Sequence, residues 1–453
     1  MALKRASASR VDALVSILIE IGERKDRAPE LVARFQSSYR ELALDQRAEF
    51  FDALLRRVEI ARADLESPLA DVGDASDDDP VEWTRRLSRL RKTLESPRLR
   101  AFRRFLTTRG GLPLLLEMRA DVLAIQRESG QELGPLEEEI AHLFDSWFQS
   151  DFLFLREVTL QSSFQEIKFL KEHDMVHPMA SLDEMGARLA GDRRLFALYH
   201  RVMAEEPIVF IEVALTNGIA RSIHQILDGE PNPKTRTAPD TAVFYSINNT
   251  QNGLARLGLG KALIFRVVEL LRADVPGIRT FATLSPLPGL WERYLEPILL
   301  ESGGTFALTR DRVASFFSAS ARRELTRRRL RNAETENELE TKDFQETLHA
   351  ILSDPDWIDD ATYVRWLEKP LAKLAYFYIA SEQNDHGTPL NPVAAFHLGN
   401  GARVTLKDVN FGANRSQRGL KESCGVMVNF VYSKSWLQEI GSSMKSLLTG
   451  SVK

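Results

Sequence analysis

Three stretches of this chain hold residues whose types and spacing suit chemistry. The first is Phe281-Ala282-Thr283-Leu284-Ser285-Pro286-Leu287-Pro288-Gly289. Pro286 confines Ser285 to extended backbone, and Pro288-Gly289 turns the chain. A hydroxyl is thus expected to stand fixed and accessible at a strand end, although a Ser-Pro pair can simply end a strand. The second is Asn391-Pro392-Val393-Ala394-Ala395-Phe396-His397-Leu398-Gly399-Asn400-Gly401-Ala402. Read as a strand over Pro392 to Leu398, it places Val393, Ala395 and His397 on one face, with His397 just before a Gly-Asn-Gly turn. An imidazole moves protons near neutral pH; a histidine so placed can also be structural. The third is a glycine-rich turn, Asn252 to Lys261, between a strand ending near Asn248 and a helix over Lys261 to Ala273. Unpaired amides at a helix start attract anions, and glycines allow close approach. Arg256 and Lys261 add charge there. A tight turn with a helix cap is the alternative.

The spacing excludes two owners of such turns. Gly260-Lys261 is followed by Ala262 and preceded five positions earlier by Ala255, so it is not a Walker A loop. Gly258-x-Gly260 lacks the third glycine of a dinucleotide fingerprint. His173 and His177 have the spacing of a helical metal pair, but Pro178 follows and no third ligand beyond Asp174 is near, so no metal is expected. Cys424, the single cysteine, reads as a packed small residue rather than a nucleophile.

The elements that position these residues fall into two parts. Residues 1–150 carry apolar side chains at helical spacing: Val11, Leu14, Val15, Ile17, Leu18 and Ile21; Phe50, Phe51, Leu54, Leu55 and Val58; Trp83, Leu87, Leu90 and Leu94; Leu114, Leu115, Met118, Val122 and Ile125. Asp71 to Pro80 reads as an acidic loop. From about 150 the pattern changes to β-rich runs at Phe154–Leu160, Pro207–Leu215, Ala242–Ile247, Thr280–Leu284 and Val426–Tyr432, in addition to Pro392–Leu398. Helical stretches lie between them, notably Pro370 to Ile379. The fold class is therefore α+β, an all-helical domain over 1–150 followed by a mixed α/β domain over 151–453. Charged residues at 27% against 43% hydrophobic argue for a packed globular chain. A net charge of −4 argues against nucleic acid as the main partner. The apolar run Ala13 to Ile19 is too short to span a bilayer and no signal-peptide cleavage site follows it, so the expectation is a cytoplasmic protein without a membrane partner.

The turn resembles the device by which acetyltransferase-type folds hold coenzyme A pyrophosphate, Gln/Arg-x-x-Gly-x-Gly/Ala, with Gly258 and Gly260 matching and Ala255 replacing the polar residue. Taken together, the blocks resemble the malonyl-CoA decarboxylase family. The likeness is carried by Phe244-Tyr245-Ser246-Ile247-Asn248, by Gly253-Leu254 through Lys261, by Leu284-Ser285-Pro286-x-Pro288-Gly289, by Asn391-Pro392-Val393-x-x-Phe396-His397-Leu398-x-Asn400-Gly401-Ala402 and by Ser423-Cys424-Gly425-x-Met427-x-Asn429-Phe430-x-Tyr432. It spans most of residues 150 to 435, in order. It implies a helical domain joined to an acetyltransferase-like catalytic domain that converts malonyl-CoA to acetyl-CoA and carbon dioxide. It also implies Ser285 and His397 as the catalytic pair. The coenzyme turn falls on Ala255, Arg256, Leu257, Gly258, Leu259, Gly260 and Lys261, with Asn429 and Tyr432 near the acyl pocket. No cofactor is implied, since the thioester is itself the electron sink, and a homo-oligomer is. An acyl-CoA-dependent acyltransferase and a non-catalytic acyl-CoA-binding regulator are the alternatives. The arginine run 322–331 reads as a solvated helix balanced by Glu324 and Glu334, with the coenzyme's 3′-phosphate or a polyanion as other takers.

Overall fold

The computed structural model describes residues 2–73, 79–148, 152–228, 238–255, 257–302, 304, 306–330, 343–385 and 387–433. The chain forms two compact units. The first comprises Met1–Phe154 with two returning segments, Leu198–Val209 and Asn249–Leu259. Its helices are Ala2–Glu23, Ala28–Arg40, Leu44–Arg57, Arg62–Gly73, Pro80–Thr93, Pro97–Thr107, Gly111–Ser129 and Gly134–Trp147. The stripes at 11–21, 50–54 and 114–125 face inward. They surround a cluster of fully buried rings, Phe35, Tyr39, Phe50, Phe51, Phe102 and Phe105. Burying each such ring contributes about 1.5–3 kcal/mol, so this cluster outweighs any surface pair in the unit. The stripe at 83–94 behaves differently: the Pro80–Thr93 helix buries none of its residues, and Trp83 and Leu94 are exposed. The acidic segment is only partly a loop. Asp71 to Gly73 complete the Arg62–Gly73 helix, and Asp79 caps the next one by accepting from the Val81 and Glu82 amides. The rest of it, 74–78, lies outside the described residues.

The second unit comprises Leu155–Ala197, Phe210–Asn248 and Gly260–Lys453. Among the described residues the strands are β1 (Leu153–Val158), β2 (Arg193–His200), β3 (Met203–Thr216), β4 (Thr241–Asn249), β5 (Thr280–Thr283), β6 (Ser285–Pro286), β7 (Ala402–Arg403), β8 (Val409–Asn410), β9 (Met427–Val428) and β10 (Val431–Tyr432). Seven form one sheet in the order β1-β2-β3-β4-β5-β10-β7, and three form another in the order β6-β9-β8. The α+β expectation is met. β4 and β5 run parallel, joined through the Leu259–Asp274 helix, so the strand–turn–helix that suggested an acetyltransferase-like unit is present. β2, whose Leu195 to His200 are all buried, has no alternation and escaped the sequence reading.

Two differences bear on the site. The run Val426–Tyr432 is not one strand. β5 and β6 pair antiparallel with β10 and β9 in a single register, from Phe281 opposite Tyr432 to Ser285 opposite Val428. Between them the ribbon passes from one sheet to the other: Leu284 donates its amide to Phe244 O on β4, and Asn429 donates to Asp408 O. Ser285 therefore stands where the chain changes sheets. The second difference is larger. Pro392–Gly399 is a helix, not a strand. Asn391 caps it by accepting from the Val393 and Ala394 amides, and Pro392 occupies its first turn, where no intrahelical amide bond is lost. The shared face of Val393, Ala395 and His397 does not exist, because a helix repeats every 3.6 residues.

Candidate active site

Alternation along β5, β6, β9 and β10 sends Phe281, Thr283, Ser285, Phe430 and Tyr432 to one face of the crossing ribbon. Phe244 of β4 shares that face, 6.2 Å from Phe281 and 6.4 Å from Tyr432 between ring centroids. The opposite face carries Val243, Tyr245, Leu284 and Met427 into an apolar core with Ala214, Ala220 and Ile223. The capped Pro392–Gly399 helix brings His397 down onto the first face. Asn391 Nδ2 donates to Pro288 O at 3.2 Å, tying the start of this helix to the turn that follows Ser285.

The structure brings Ser285, His397 and Tyr432 together. His397 Nε2 lies 3.3 Å from Ser285 Oγ, and its Nδ1 lies 2.9 Å from the Tyr432 hydroxyl. Ser285 donates its one hydroxyl hydrogen to Thr283 Oγ1 at 3.0 Å. His397 Nε2 therefore carries the ring hydrogen and donates to Ser285, and Nδ1 accepts from Tyr432. The imidazole stacks on Phe430 at 4.9 Å and meets the Phe396 ring edge-on at 5.0 Å. Both members of the pair are buried, Ser285 at 7% and His397 at 4% exposure, so the expectation of an accessible serine is corrected. Burial alone pulls the His397 pKa down from its usual 6.5 to about 3, and the same cause pushes the Tyr432 phenol up. At rest the ring is neutral, and an ordinary histidine pKa does not describe it.

Thr283 is the member that sequence reasoning passed over. Its Oγ1 accepts from Ser285 and from the Phe430 amide at 3.1 Å, locking the serine to the strand crossing. The Thr-x-Ser spacing on an extended segment was the available signal. Asn429 is not brought to the pair. Its Nδ2 donates to Thr283 O at 2.7 Å and Ala220 O at 3.0 Å, and its Oδ1 accepts from Asn410, so the amide is fully committed to holding the crossing.

The glycine-rich turn takes the expected form. Asn252–Leu254 is a 3-10 turn and Leu259 opens a 16-residue helix. Gly258 sits at φ +69 with open space where a side chain would be, and it is exposed. Only glycine adopts that backbone freely. A Cβ on Gly260 would meet Phe396 Cζ at 2.7 Å. The helix start is thus packed against the neighbour of His397. Lys261 is exposed in the first helical turn, Ala255 and Leu257 are half-buried and Leu259 is buried; Arg256 lies outside the described residues.

The other candidates take structural roles. His173 ends the Phe164–His173 helix, so it shares no helical face with His177. Asp174 is buried and accepts from Arg188, Ser246 and Asn248 rather than standing in solvent. Among the described residues no group of three His, Cys, Asp or Glu could hold a metal ion. Cys424 is buried at the end of the Gln417–Ser423 helix, and burial pushes its thiol up to about 12. The arginine run lies on the Ala319–Arg329 helix, where Arg327 pairs with Glu324 and Arg328 with Asp360; Arg331 and Glu334 are outside the described residues. No helix among the described residues is long and apolar enough to cross a membrane.

Comparison with known proteins gives the family of the chain. Residues 61–148 match the family profile of the malonyl-CoA decarboxylase N-terminal domain, and residues 151–444 that of the C-terminal domain. The mitochondrial malonyl-CoA decarboxylase of Anser anser anser is 33% identical over 359 residues, covering 78% of this chain and 67% of that protein. The Rattus norvegicus mitochondrial enzyme is 33% identical over 346 residues, covering 75% and 65%. The chain thus spans about two thirds of the length of these relatives. The crystal structure of malonyl-CoA decarboxylase from Rhodopseudomonas palustris superposes with a TM-score of 0.75 at 30% identity, covering 98% of this chain and 97% of that one. The Agrobacterium vitis structure gives 0.74 at 29% identity, covering 96% and 95%. Matched over both of its parts and along nearly the whole length of solved relatives, the chain belongs to the malonyl-CoA decarboxylase family.

Proposed function

We propose that this protein decarboxylates malonyl-CoA to acetyl-CoA and carbon dioxide, with Ser285, His397 and Tyr432 forming one proton path. The observation that carries the reading is the buried chain Tyr432–His397–Ser285, contributed by segments far apart in sequence. Breaking the bond between the α-carbon and the carboxylate releases carbon dioxide and leaves its electron pair in the thioester as an enolate. The α-carbon then needs one proton. Ser285 turns its hydroxyl hydrogen from Thr283 to that carbon, His397 gives its Nε2 hydrogen to Ser285, and Tyr432 gives its own to Nδ1. The imidazole stays neutral throughout, as its burial requires; once product has left, water gives a proton to Ser285, Ser285 passes its own to Nε2, and Nδ1 returns its hydrogen to the phenolate, which restores the resting arrangement. A thioester α-carbon is a far weaker acid than a phenol, so the transfer runs downhill even with the Tyr432 phenol pushed up. Water exclusion around the pair strengthens each of these hydrogen bonds.

The turn Ala255–Lys261 is read as the coenzyme cradle, its helix-start amides facing the pyrophosphate and Lys261 adding charge. Ala255 removes one side-chain contact and leaves the backbone donors in place. A homo-oligomer and a cytoplasmic location belong to the same reading. The first is supported by the exposed Leu69, Val81, Trp83 and Leu94 of the helical unit, the second by a lone, buried thiol. Light scattering and fractionation test them. The activity is tested by incubating the protein with malonyl-CoA and following acetyl-CoA by mass. Turnover is expected, with Ser285→Ala and His397→Ala each losing most of it while remaining folded. No release of carbon dioxide at any pH between about 5 and 9 overturns the decarboxylase reading. Acyl transfer to an amine in its place would install the acyltransferase one.

A further inference from the structure

The helical unit contains a buried cation whose role the reaction does not use. Arg119, on the Gly111–Ser129 helix, has a side chain only 1% exposed. Its Nη1 donates to two backbone carbonyls of the returning segment, Gly253 O and, at 2.9 Å, Ala255 O; its Nη2 pairs with Glu137 on the Gly134–Trp147 helix. The segment itself lies flat on this helix: a Cβ on Gly253 would stand 2.1 Å from Leu116 O, a contact only a glycine permits. The turn's own bonds, Leu254 to Gln251, Ala255 to Asn252 and Leu257 to Leu254, carry the constraint forward toward Gly258. A peptide unit is planar, so holding Gly253 O also holds the Leu254 amide, which closes the turn onto Gln251 O. A surface arginine serving only as an ion-pair partner would not bury its guanidinium to bind carbonyls; the geometry here is that of a clamp.

We propose that Arg119 is a positioning residue for coenzyme A, holding the Gly253–Ala255 segment so that the turn presents its amides to the pyrophosphate. The proposal rests on the reading of Ala255–Lys261 as the coenzyme cradle. The test compares malonyl-CoA with malonyl-pantetheine, which has the same reacting thioester and no pyrophosphate, on the full chain and on Arg119→Lys and Glu137→Gln. Lysine keeps the charge but cannot fork to two carbonyls. Glutamine leaves Arg119 in place and removes its counter-charge, so it carries the test if Arg119→Lys fails to fold. The wild-type protein is expected to have a KM for malonyl-CoA at least about tenfold below that for malonyl-pantetheine. In Arg119→Lys the KM for malonyl-CoA rises about tenfold, that for malonyl-pantetheine is unchanged, and kcat on both stays within about twofold. Glu137→Gln moves the same way by a smaller factor. Variants that keep the wild-type discrimination, or lose kcat equally on both substrates, overturn the role of Arg119. A wild-type protein that does not discriminate overturns the cradle reading itself, and the clamp with it.

Discussion

The histidine at the centre of the site owes its ionisation to burial alone, with no charged partner offsetting it, and its sign has consequences that can be measured. A folded pKa of about 3 lies below the ordinary value of about 6.5. The neutral ring is therefore the native form across the neutral range, and between those two values the unfolded chain binds the extra proton. His397 thus contributes stability fully above about pH 6.5 and loses it as the pH falls toward about 3. A His397→Gln variant is expected to show a shallower acid loss of stability in denaturant titrations over that window; an unchanged slope would remove the assignment. Activity follows the same sign. The profile of kcat/KM, which reports the free protein, should have no limb near pH 6.5 and should fall only on the far acid side. A limb at 6.5 would mean a solvated, ordinary imidazole. Tyr432→Phe removes the hydrogen supplied to Nδ1 and should lower kcat by about 10²-fold, within the range for general acid–base groups, with little change in KM. Ser285 and His397 were singled out by the family resemblance, since by themselves a Ser-Pro pair and a lone histidine fit structural roles as well. Their partners Thr283 and Tyr432 were less legible, because a hydroxyl on a strand reads the same whether it faces a histidine or solvent.

The Pro392–Gly399 helix shows where element-level legibility failed and why. Its short apolar run, Pro392 to Leu398, fits a buried strand and a one-sided helix equally well, and eight residues are too few for periodicity to decide. The deciding information was the Asn-Pro start, a cap followed by proline in the first turn, which a strand would not need. The cap gives a separable test. Asn391→Ala removes the acceptor for the Val393 and Ala394 amides and the donor to Pro288 O, and should cost about 0.5–2 kcal/mol together with activity. Asn391→Asp keeps the capping oxygen, loses the donor, and adds a negative charge at the helix start, where the dipole favours it. It should hold most of the stability while kcat falls, since the helix is then untied from the turn after Ser285. Equal activity of Asn391→Asp and wild type would show that this tie does not place His397. At the other helix, Gly260→Ala drives a methyl into the Phe396 ring. Phe396→Leu should partly restore kcat in the double variant, a coupling that distant sites would not show.

At the scale of the whole chain, the change from helices to mixed elements was legible; β2, the Pro392–Gly399 helix and the allocation of elements to compact units were not. Periodicity marks a change of pattern near residue 150, and the structure ends a helix at Trp147 and opens β1 at Leu153. It has no means of signalling that Leu198–Val209 and Asn249–Leu259 return to the helical unit. Those returns complete contacts the helices cannot make alone. His200 Nε2 donates to Trp147 O at 3.0 Å, and its ring lies 5.0 Å from that of Phe148. Gly253 and Ala255 supply the carbonyls that Arg119 binds. A fragment of residues 1–150 would leave the Arg119 guanidinium to water and forfeit its hydrogen bonds to the two carbonyls, each typically about 1.5–3 kcal/mol for a charged donor. It would also expose the surface of the Gly111–Ser129 helix that the 3-10 turn covers. The fragment is therefore expected to unfold at a lower denaturant concentration than the helical unit within the intact chain, to bind a hydrophobic dye, and to be cut by protease at the Gly111–Ser129 helix. Cooperative unfolding at the intact chain's midpoint, without dye binding, would show that the returning segments are passengers. In that case Arg119 would not need the Gly253 and Ala255 carbonyls to keep the helical unit folded.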